Sequence, residues 1–312
     1  MKYCFGIDIG GTTVKIGLFS ASSEMLARWE IPTRKDSSPD GLLRDVKTAL
    51  EGCLTERGIS RTDVLGVGIT APGPVTEDGI LHGTVNIGWG DVALGKEAEK
   101  ILQLGTVRIG NDARVAALGE YAYGAGKGSK SMLMITLGTG VGGGVIQDGH
   151  ILTGFHGVAG EIGHMTVDPY ETLPCSCGKK GCLEQYASAT GMVRVAKKFL
   201  ADRAGETLLR QCEITAKTLW DCAKAGDCAA NEITDFVCHR LGIALANAAY
   251  LVDTELFVIG GGVSAAGDFL LEKIERVYRA NVFPHSRDKK FTLAKLGNDA
   301  GIQGAAALLL EP

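Results

Sequence analysis

The segment that decides the fold reads YCFGIDIGGTTVKIGLF and covers residues 3–19. Two β-prone runs flank a glycine-rich turn, which predicts a strand, a turn and a returning strand. Glycine allows backbone N–H groups to approach an anion closely, Thr12 and Thr13 carry hydroxyl donors, and Asp8 stands where it can hold Mg²⁺. The segment therefore indicates a phosphate-binding turn, with a plain tight hairpin and a solvated Asp8 as the alternative.

The same pattern returns about one domain later. Residues 131–137 read as a strand, residues 138–144 as a second glycine turn, and Val145 and Ile146 with their neighbours as a returning strand. This repetition predicts an α/β fold with two similarly built lobes. Apolar periodicity and turn residues predict further strands over 64–69, 107–109 and 255–259, and helices over 41–56, 113–123, 187–200, 215–225, 229–251 and about 268–280.

Composition and charge exclude several classes of function. A chain of 312 residues suggests two domains, and 45% hydrophobic with 22% charged residues is ordinary for a soluble enzyme. The net charge of −4, with Lys and Arg scattered along the chain, shows no footprint for nucleic acid. No continuous apolar stretch is long enough for a membrane span and no export signal is recognisable. We therefore expect a cytoplasmic protein whose nine cysteines are reduced thiols or metal ligands.

The second glycine cluster, Leu137–Gly144, contains the pattern GxGxxG but does not predict a dinucleotide site. That fingerprint requires a helix directly after the glycines, whereas residues 145–149 read as a strand and a turn. A Walker A pattern is also missing, which argues against a P-loop enzyme. A third cluster, Gly260–Gly262, suits either a nucleotide lying across it or a simple strand-to-helix connection. Two such loops together favour a phosphotransferase.

One imidazole and three thiols have the composition of a tetrahedral zinc site. His164 is followed by Cys175, Cys177 and Cys182, all within nineteen residues, and Cys₃His is a known ligand set for structural zinc. Four protein ligands leave no open position, so we expect the metal to be structural rather than catalytic. The alternative is three unconnected buried thiols.

These motifs together resemble the ROK family of sugar kinases, repressors and related open reading frames, over nearly the whole chain. The resemblance rests on Asp8–Thr13, Ala71–Val75, Asn111 with Asp112, Leu137–Gly144, Gly160–His164, Cys175–Glu184 and Gly260–Val263. It implies a two-lobed fold of the actin/hexokinase/Hsp70 type (ribonuclease H-like), in which the lobes close over ATP and sugar. The implied lobes are a small one over 1–110, completed by a C-terminal helix at 300–312, and a large one over 111–299 with a zinc-binding insertion at 164–184.

The resemblance also implies an activity: ATP- and Mg²⁺-dependent phosphorylation of a hexose, most of all glucose to glucose 6-phosphate, by a homodimer. Asp112 matches the catalytic base. The residues that match sugar-binding positions are Asn86, Asn111, Asp112, Glu161, His164 and Glu184. The residues that match nucleotide-binding positions are Asp8, Gly10, Gly11, Thr12, Thr13 and Lys15 at the first turn, Gly138, Thr139 and Gly140 at the second, and Gly261 and Gly262 at the third.

Some of these residues have simpler explanations when the resemblance is set aside. Asp112 is then an N-cap of the helix that follows it, Glu161 a surface acid, and His164 a metal ligand only. Two positions also depart from the commoner glucokinase pattern within the family. Gly110 stands where an acid often precedes Asn-Asp, and Arg114 stands where Asn is frequent, which leaves the exact sugar preference open.

Three other functions compete with a glucose kinase. The first is a kinase of the same family for fructose, mannose, allose or an N-acetylhexosamine, and polyphosphate is an alternative donor to ATP. The second is a sugar-responsive repressor, which needs a helix-turn-helix segment before the kinase-like body, whereas the first strand is expected to begin at about Tyr3. The third is a sugar-binding regulator without activity, which Asp112 and the three glycine loops argue against.

Overall fold

The computed structural model describes residues 1–36, 38–84 and 87–310. The chain forms two compact units: residues 1–128, 148–159 and 298 onward make the first, and residues 129–147 and 160–297 make the second. Each unit has its own hydrophobic core. The predicted pair of α/β lobes therefore corresponds to two units, each with its own interior.

The first unit begins with an antiparallel meander and continues with parallel strands joined by helices. Its elements are β1 (Tyr3–Ile9), β2 (Thr13–Ser20), β3 (Met25–Pro32), α1 (Asp40–Glu56), β4 (Val64–Ala71), α2 (Leu94–Leu102), β5 (Thr106–Asn111) and α3 (Asp112–Tyr123). The strand order is β3-β2-β1-β4-β5, with β1, β4 and β5 parallel. Helix α1 buries the apolar residues whose helical spacing predicted it, which are Leu42, Leu43, Val46, Leu50 and Leu54.

The second unit repeats this order. Its elements are β6 (Ser131–Leu137), β7 (Val141–Gln147), α4 (Glu184–Ala187), α5 (Ala189–Ala201), α6 (Ala216–Lys224), α7 (Cys228–Val252), β9 (Leu256–Gly260), α8 (Asp268–Asn281) and β10 (Lys290–Leu293), while the short β8 (His150–Ile151) belongs to the 148–159 segment. Strand β6 pairs antiparallel with β7 and parallel with β9, which is parallel to β10. The order β10-β9-β6-β7 thus corresponds to β5-β4-β1-β2.

The last helix, α9 (Ala300–Ala307), packs against β1, β4 and α3 of the first unit. The approach is close: a Cβ on Gly6 or Gly68 would fall on the backbone of α9. Helix α3 packs along α9 as well, and both therefore belong to the first unit. The predicted boundary at residue 110 instead assigns α3 to the large lobe. The observed grouping differs because the contacts of α3 with α9 join it to the first sheet.

The structure differs from the predicted elements in two further places. Only Gly138–Gly140 form the second turn, because residues 142–144 lie within β7. Glycine is needed in that strand for space: a Cβ on Gly143 would press on the Gly160 carbonyl and on Ile162. The helix predicted over 187–200 is divided at Ser188, whose hydroxyl caps α5 by accepting the Gly191 N–H at 2.9 Å.

Four of the labelled elements have no counterpart among the predictions: β3, α2, the two-residue β8 and β10. Strand β3 lies at the edge of its sheet, and its residues are partly or fully exposed along its whole length. Strand β10 is also an edge strand and has only four residues. Such segments are held by backbone pairing with a neighbouring strand rather than by a strong apolar pattern of their own. A single sequence therefore carries little signal for them.

Within the part of the chain that the structure describes, no helix combines the length and the apolar composition needed to cross a bilayer.

The tight contact between β4 and α9 gives a test of the fold. Gly68→Ala should lower the free energy of unfolding by about 1–3 kcal/mol or more, because the added methyl group overlaps the Ala305 carbonyl. Gly52→Ala is the matched control, since nothing lies within 4 Å of its Cβ position in α1. That control should stabilise the protein by up to about 1 kcal/mol. Urea unfolding of both variants checks the pair, and equal effects would contradict the packing.

Candidate functional site

Predicted site residues of the first unit lie at one edge of its sheet. Strands β1, β4 and β5 are parallel, and their register pairs Asp8 with Thr70 and Ala71 with Asn111. The carboxyl ends of parallel strands meet at the same edge of a sheet. Asp8 and the pair Asn111 and Asp112 are therefore brought to one edge although a hundred residues separate them in sequence.

Asp8 is oriented by partners on three other elements. Its Oδ1 accepts a hydrogen bond from the Thr70 hydroxyl at 2.7 Å, and Lys15 Nζ lies 3.9 Å from its Oδ2. Lys15 also donates to the Asn298 carbonyl at 3.3 Å. The start of α9 lies close to the carboxylate: a Cβ added to Gly301 would be 2.7 Å from Asp8 Cγ, so only glycine fits there. Thr70 was missed by sequence reasoning, and only the β1–β4 register identifies it.

The first glycine turn is closed by its own backbone and by the chain after β3. Gly10 donates its N–H to the Thr13 carbonyl at 3.0 Å. Thr33 donates its hydroxyl to the Gly10 carbonyl at 2.7 Å and its N–H to the Thr12 carbonyl at 2.9 Å. Three carbonyl oxygens of the turn therefore accept hydrogen bonds from the protein itself. This leaves a turn whose exposed face carries the Thr12 side chain.

Asp112 is the first residue of α3, and the capping of that helix falls to Asn111. Asn111 Oδ1 accepts the Arg114 N–H at 3.1 Å, and its Nδ2 donates to the Gly73 carbonyl and to Asp112 Oδ1, each at 3.0 Å. Asp112 Oδ1 also accepts the Ala113 N–H at 2.7 Å. The structure therefore orients the half-buried Asp112 through its neighbour and does not use it as the N-cap.

Asp112 lines a cavity of about 520 Å³ in the first unit. The other lining residues are Pro72, Gly73, Pro74, His82, Gly83, Thr84 and Trp89. His82 Nδ1 lies 3.1 Å from Asp91 Oδ2, and the Thr84 hydroxyl accepts the Trp89 N–H at 2.9 Å. Asn86, which was predicted to bind sugar, lies outside the described residues.

The two positions that depart from the family pattern lie beside this site. Gly110 is the penultimate residue of β5, and a Cβ there would press on Val115. Arg114 is buried in α3 and donates from its Nη2 to the Gly157 carbonyl. Gly110 therefore allows the close packing of α3 on β5, and Arg114 ties α3 to the 148–159 segment.

In the second unit, the other two glycine loops lie next to each other. Parallel pairing of β6 with β9 aligns Thr136 with Gly260, so Gly138–Gly140 and Gly261–Gly262 both follow the carboxyl end of a strand. Gly261 lies against the backbone of Leu137. A Cβ added to Gly261 would lie only 2.5 Å from the Leu137 carbonyl oxygen. The sequence predicted both loops, and the structure brings them together.

The hydrogen bonds of the second turn leave two of its amides exposed for a ligand. Gly138 donates to the Gly140 carbonyl at 3.0 Å, and Val141 donates to Glu184 Oε2 at 3.0 Å. The Gly138 and Thr139 carbonyls accept from the Ala189 N–H and the Thr190 hydroxyl, each at 2.8 Å. Within the described residues, the N–H groups of Thr139 and Gly140 have no hydrogen-bond acceptor. Two adjacent amides and a threonine hydroxyl suit a phosphate oxygen.

The predicted metal ligands converge. The donor atoms of His164, Cys175, Cys177 and Cys182 all lie within 4.8 Å of one another. The Cys177 and Cys182 sulfurs are 3.7 Å apart, and Cys175 Sγ lies 3.8 Å from His164 Nδ1. A tetrahedral zinc ion with Zn–S bonds of about 2.3 Å requires sulfur atoms about 3.8 Å apart. The four residues therefore fit a zinc ion, and Nδ1 is the ring nitrogen that faces it.

The electrostatics of the thiols also favour a bound cation, because three clustered thiolates need a positive charge to compensate them. Burial and neighbouring sulfur atoms raise the pKa of Cys182 to about 12. Burial opposes ionisation of Cys177 as well, but the Lys179 N–H and neighbouring thiols outweigh it and lower its pKa. Three thiolates side by side repel one another unless a metal ion compensates their charge.

The remaining predicted sugar ligands lie around residues 164–182, the segment that carries the four candidate metal ligands and is called the metal loop below. Glu161 is half-buried just before a short 3₁₀-helix, Ile162–His164, which carries the half-buried His164. Glu184 is the first residue of α4, two positions after Cys182. Its Oε1 accepts the Ser176 hydroxyl at 3.1 Å, while its Oε2 faces the second glycine turn.

A polar network that sequence reasoning missed braces the chain before the cysteines. The Tyr186 hydroxyl contacts Asp168 Oδ2 at 3.1 Å and Glu171 Oε2 at 2.9 Å. Arg194 pairs with Glu171 at 2.9 Å, and Arg240 pairs with Asp168 at 3.2 Å. Burial opposes ionisation of Glu171, but the Leu173 N–H, Arg194 and Tyr186 outweigh it and lower its pKa to about 2. No short sequence motif predicts this network, because its members lie far apart in sequence, in one loop and three helices.

Two sheets of corresponding strand order, each with a glycine turn at the carboxyl ends of parallel strands, define an actin/hexokinase-like protein. The chain belongs to the ROK family, whose profile matches residues 4–311. The predicted fold class and the resemblance to that family are both confirmed.

Three known proteins illustrate the similarity. The chain is 42% identical to the glucokinase of Halalkalibacterium halodurans, over 99% of this chain and 96% of that protein. It is 30% identical to the ROK hexokinase of Thermus thermophilus, whose crystal structure matches 97% of this chain and 96% of that chain with a TM-score of 0.83. The ROK family glucokinase of Streptomyces griseus, solved in complex with glucose and AMPPNP, is 33% identical over 98% of both chains with a TM-score of 0.77.

The Glu171 network predicts a dependence of stability on pH. The pKa of Glu171 is lowered from 4.5 to about 2, so its charge contributes stability that is present above about pH 4.5 and lost as the pH falls towards 2. Glu171→Gln should therefore be less stable than the native chain near neutral pH, and the difference should shrink in that window. Urea unfolding followed by circular dichroism at several pH values measures it. A difference that stays constant with pH would contradict the role of the charge.

Proposed function

We propose that this protein transfers the γ-phosphoryl group of ATP to a hexose, with glucose as the preferred acceptor. The observation that carries the proposal is the position of Asp112. Asp112 lines a cavity beside the sheet edge that also holds Asp8. The names of the similar proteins, two glucokinases and a hexokinase, support the same class of reaction.

In the proposed reaction, Asp112 acts as the general base. A sugar hydroxyl oxygen forms a bond to the γ-phosphorus, the bond from that phosphorus to the bridging oxygen of ADP breaks, and the hydroxyl proton passes to Asp112. General-base catalysis of this kind contributes typically about 10²–10⁴ in rate. Asn111 and the Ala113 N–H hold the base in one orientation, which keeps its acceptor oxygen aimed before the substrate arrives.

We propose that the nucleotide is held by backbone amides and hydroxyls of the three glycine loops. The Thr139 and Gly140 amides are candidates for the phosphate oxygens, and Gly261 with Gly262 for the adenosine. Gly10 to Thr13 and Lys15 are candidates at the first turn. Asp8 is the candidate for holding Mg²⁺, which supplies charge compensation to the phosphates when bound.

Sugar selection is assigned to Asn111, Glu161, His164 and Glu184, with Asn86 as a further candidate. His164 faces the cysteines with Nδ1, so its Nε2 is the nitrogen available to a hydroxyl group. A site built to hydrogen-bond hydroxyls discriminates strongly, because an analogue lacking one leaves polar groups unpaired. The zinc ion is proposed as structural, since four protein ligands complete its coordination.

We further propose that the protein acts in the cytoplasm as a homodimer in the first step of glucose use. The family resemblance supports these statements. Light scattering of the purified protein measures the assembly, and a monomer at working concentration would contradict it.

A panel of hexoses tests the activity. With ATP and Mg²⁺ in a coupled ADP assay, glucose should give the highest kcat/KM among glucose, mannose, fructose, allose and the N-acetylhexosamines. Asp112→Asn should reduce kcat by about 10²–10⁴ while glucose still binds. Quenching of tryptophan fluorescence reports that binding, since Trp89, one of three tryptophans in the chain, lines the Asp112 cavity. Near-native turnover by Asp112→Asn would refute the base assignment, and a preference for another sugar would replace glucose.

Removal of the metal gives a second test. Cys177→Ala should raise the KM for glucose and lower the melting temperature together, because the metal orders both His164 and the chain that leads to Glu184. The exposed Cys228→Ala is the control, as it lies far along the sequence from the cluster. Thermal melts, glucose kinetics and metal analysis of both variants decide the point. If zinc-free Cys177→Ala has an unchanged KM for glucose and an unchanged melting temperature, the proposed structural role of the zinc ion is wrong.

A further inference from the structure

Glu184 lies between two loops that sequence reasoning treated as separate sites. Its Oε2 accepts the Val141 N–H at 3.0 Å, and Val141 closes the second glycine turn. Its Oε1 accepts the Ser176 hydroxyl at 3.1 Å, and Ser176 stands between the metal ligands Cys175 and Cys177. One carboxylate therefore connects the metal loop to the glycine turn.

The contact with the glycine turn is tight. A Cβ on Gly140 would overlap Glu184 Oε2, so glycine is the residue that allows the carboxylate to reach the Val141 amide. The hydrogen bond uses a charged acceptor, which makes it stronger than a bond between neutral groups. The turn therefore depends on where the carboxylate is held.

Other groups of the turn are hydrogen-bonded to residues at the start of α5. The Gly138 and Thr139 carbonyls are bound by the start of α5, through the Ala189 N–H and the Thr190 hydroxyl. Glu184 supplies the remaining restraint, on the amide of Val141. The two amides between these restraints, those of Thr139 and Gly140, are the ones proposed above to bind phosphate.

From this geometry we infer that Ser176 is a positioning residue for the nucleotide: its hydroxyl orients Glu184, and Glu184 holds the Gly138–Val141 turn in its phosphate-binding form. The metal loop then sets the affinity for the nucleotide as well as the geometry of the sugar ligands. The inference rests on the proposed function of the turn. It does not require Glu184 to give up a sugar hydroxyl, because a carboxylate has about four acceptor positions. The contacts with the Val141 N–H, the Ser176 hydroxyl and the Cys175 thiol, whose sulfur lies 3.9 Å from Oε1, occupy at most three of them.

Nucleotide binding in the absence of sugar tests the inference. Ser176→Ala removes the hydroxyl without touching a metal ligand, and should raise the Kd for ADP by about threefold to tenfold. That change corresponds to the net contribution of about one ordinary hydrogen bond, since the hydroxyl acts on the nucleotide only through Glu184. Isothermal titration calorimetry measures the Kd, and metal analysis checks that the zinc content is unchanged. Ser176→Thr, which keeps the hydroxyl, should restore the native Kd.

A matched control and the metal itself separate positioning from a general structural role. Thr172→Ala removes an exposed hydroxyl from the same loop and should leave the Kd for ADP unchanged. Depleting the native protein of zinc should weaken ADP binding, and Ser176→Ala should add no further loss in the depleted protein, because both act through the same restraint.

The outcomes distinguish the inference from the function on which it rests. If the native protein binds ADP and Ser176→Ala binds it equally well, the inference is overturned while the kinase assignment stands. A lower melting temperature for Ser176→Ala with an unchanged Kd also overturns it. If the native protein binds no ADP, the proposed function itself fails, and the inference fails with it.

Discussion

Parallel strand pairing is the constraint on which the rest of this protein depends. Every backbone N–H and carbonyl buried in a sheet needs a partner, so the register of β1 with β4 and β5, and of β6 with β9, is strongly specified. Parallel strands carry their following loops to one edge. Asp8 and Asp112 meet at such an edge in the first unit, and two glycine loops meet at the corresponding edge in the second.

Around these edges, the protein uses most of its polar groups on itself and leaves few of them for a ligand. Asn111 caps α3 and orients Asp112, and Thr70 orients Asp8. At the second turn the carbonyl groups are bound by the start of α5, which leaves the Thr139 and Gly140 amides without an acceptor among the described residues. Donors and acceptors held in advance require no rearrangement when charge develops, which is the main means by which enzymes stabilise phosphoryl transfer.

The cluster of His164 and three cysteines, which fits a zinc ion, lies in a loop that has little apolar packing of its own. Cys175 and Cys182 are buried, but the chain between and before them is largely exposed. Its other restraint is ionic: Asp168 and Glu171 are held by Tyr186, Arg240 and Arg194. In the loop that carries His164 and leads to Glu184, a compact Cys/His cluster and a charged network therefore stand in place of a hydrophobic core.

The sequence by itself determined the features that depend on neighbouring residues. Apolar periodicity predicted α1 nearly to its ends, glycine clusters predicted the three turns, and ligand spacing predicted the convergence of His164 with the cysteines. Tertiary structure decided the features that depend on partners distant in sequence. The edge strands β3 and β10, the glycines within β7, the place of α3 beside α9, and the contacts of Glu184 all arise from long-range packing and pairing. Such contacts leave no local pattern, because each residue's requirement is set by an atom that the chain brings near only after it has folded.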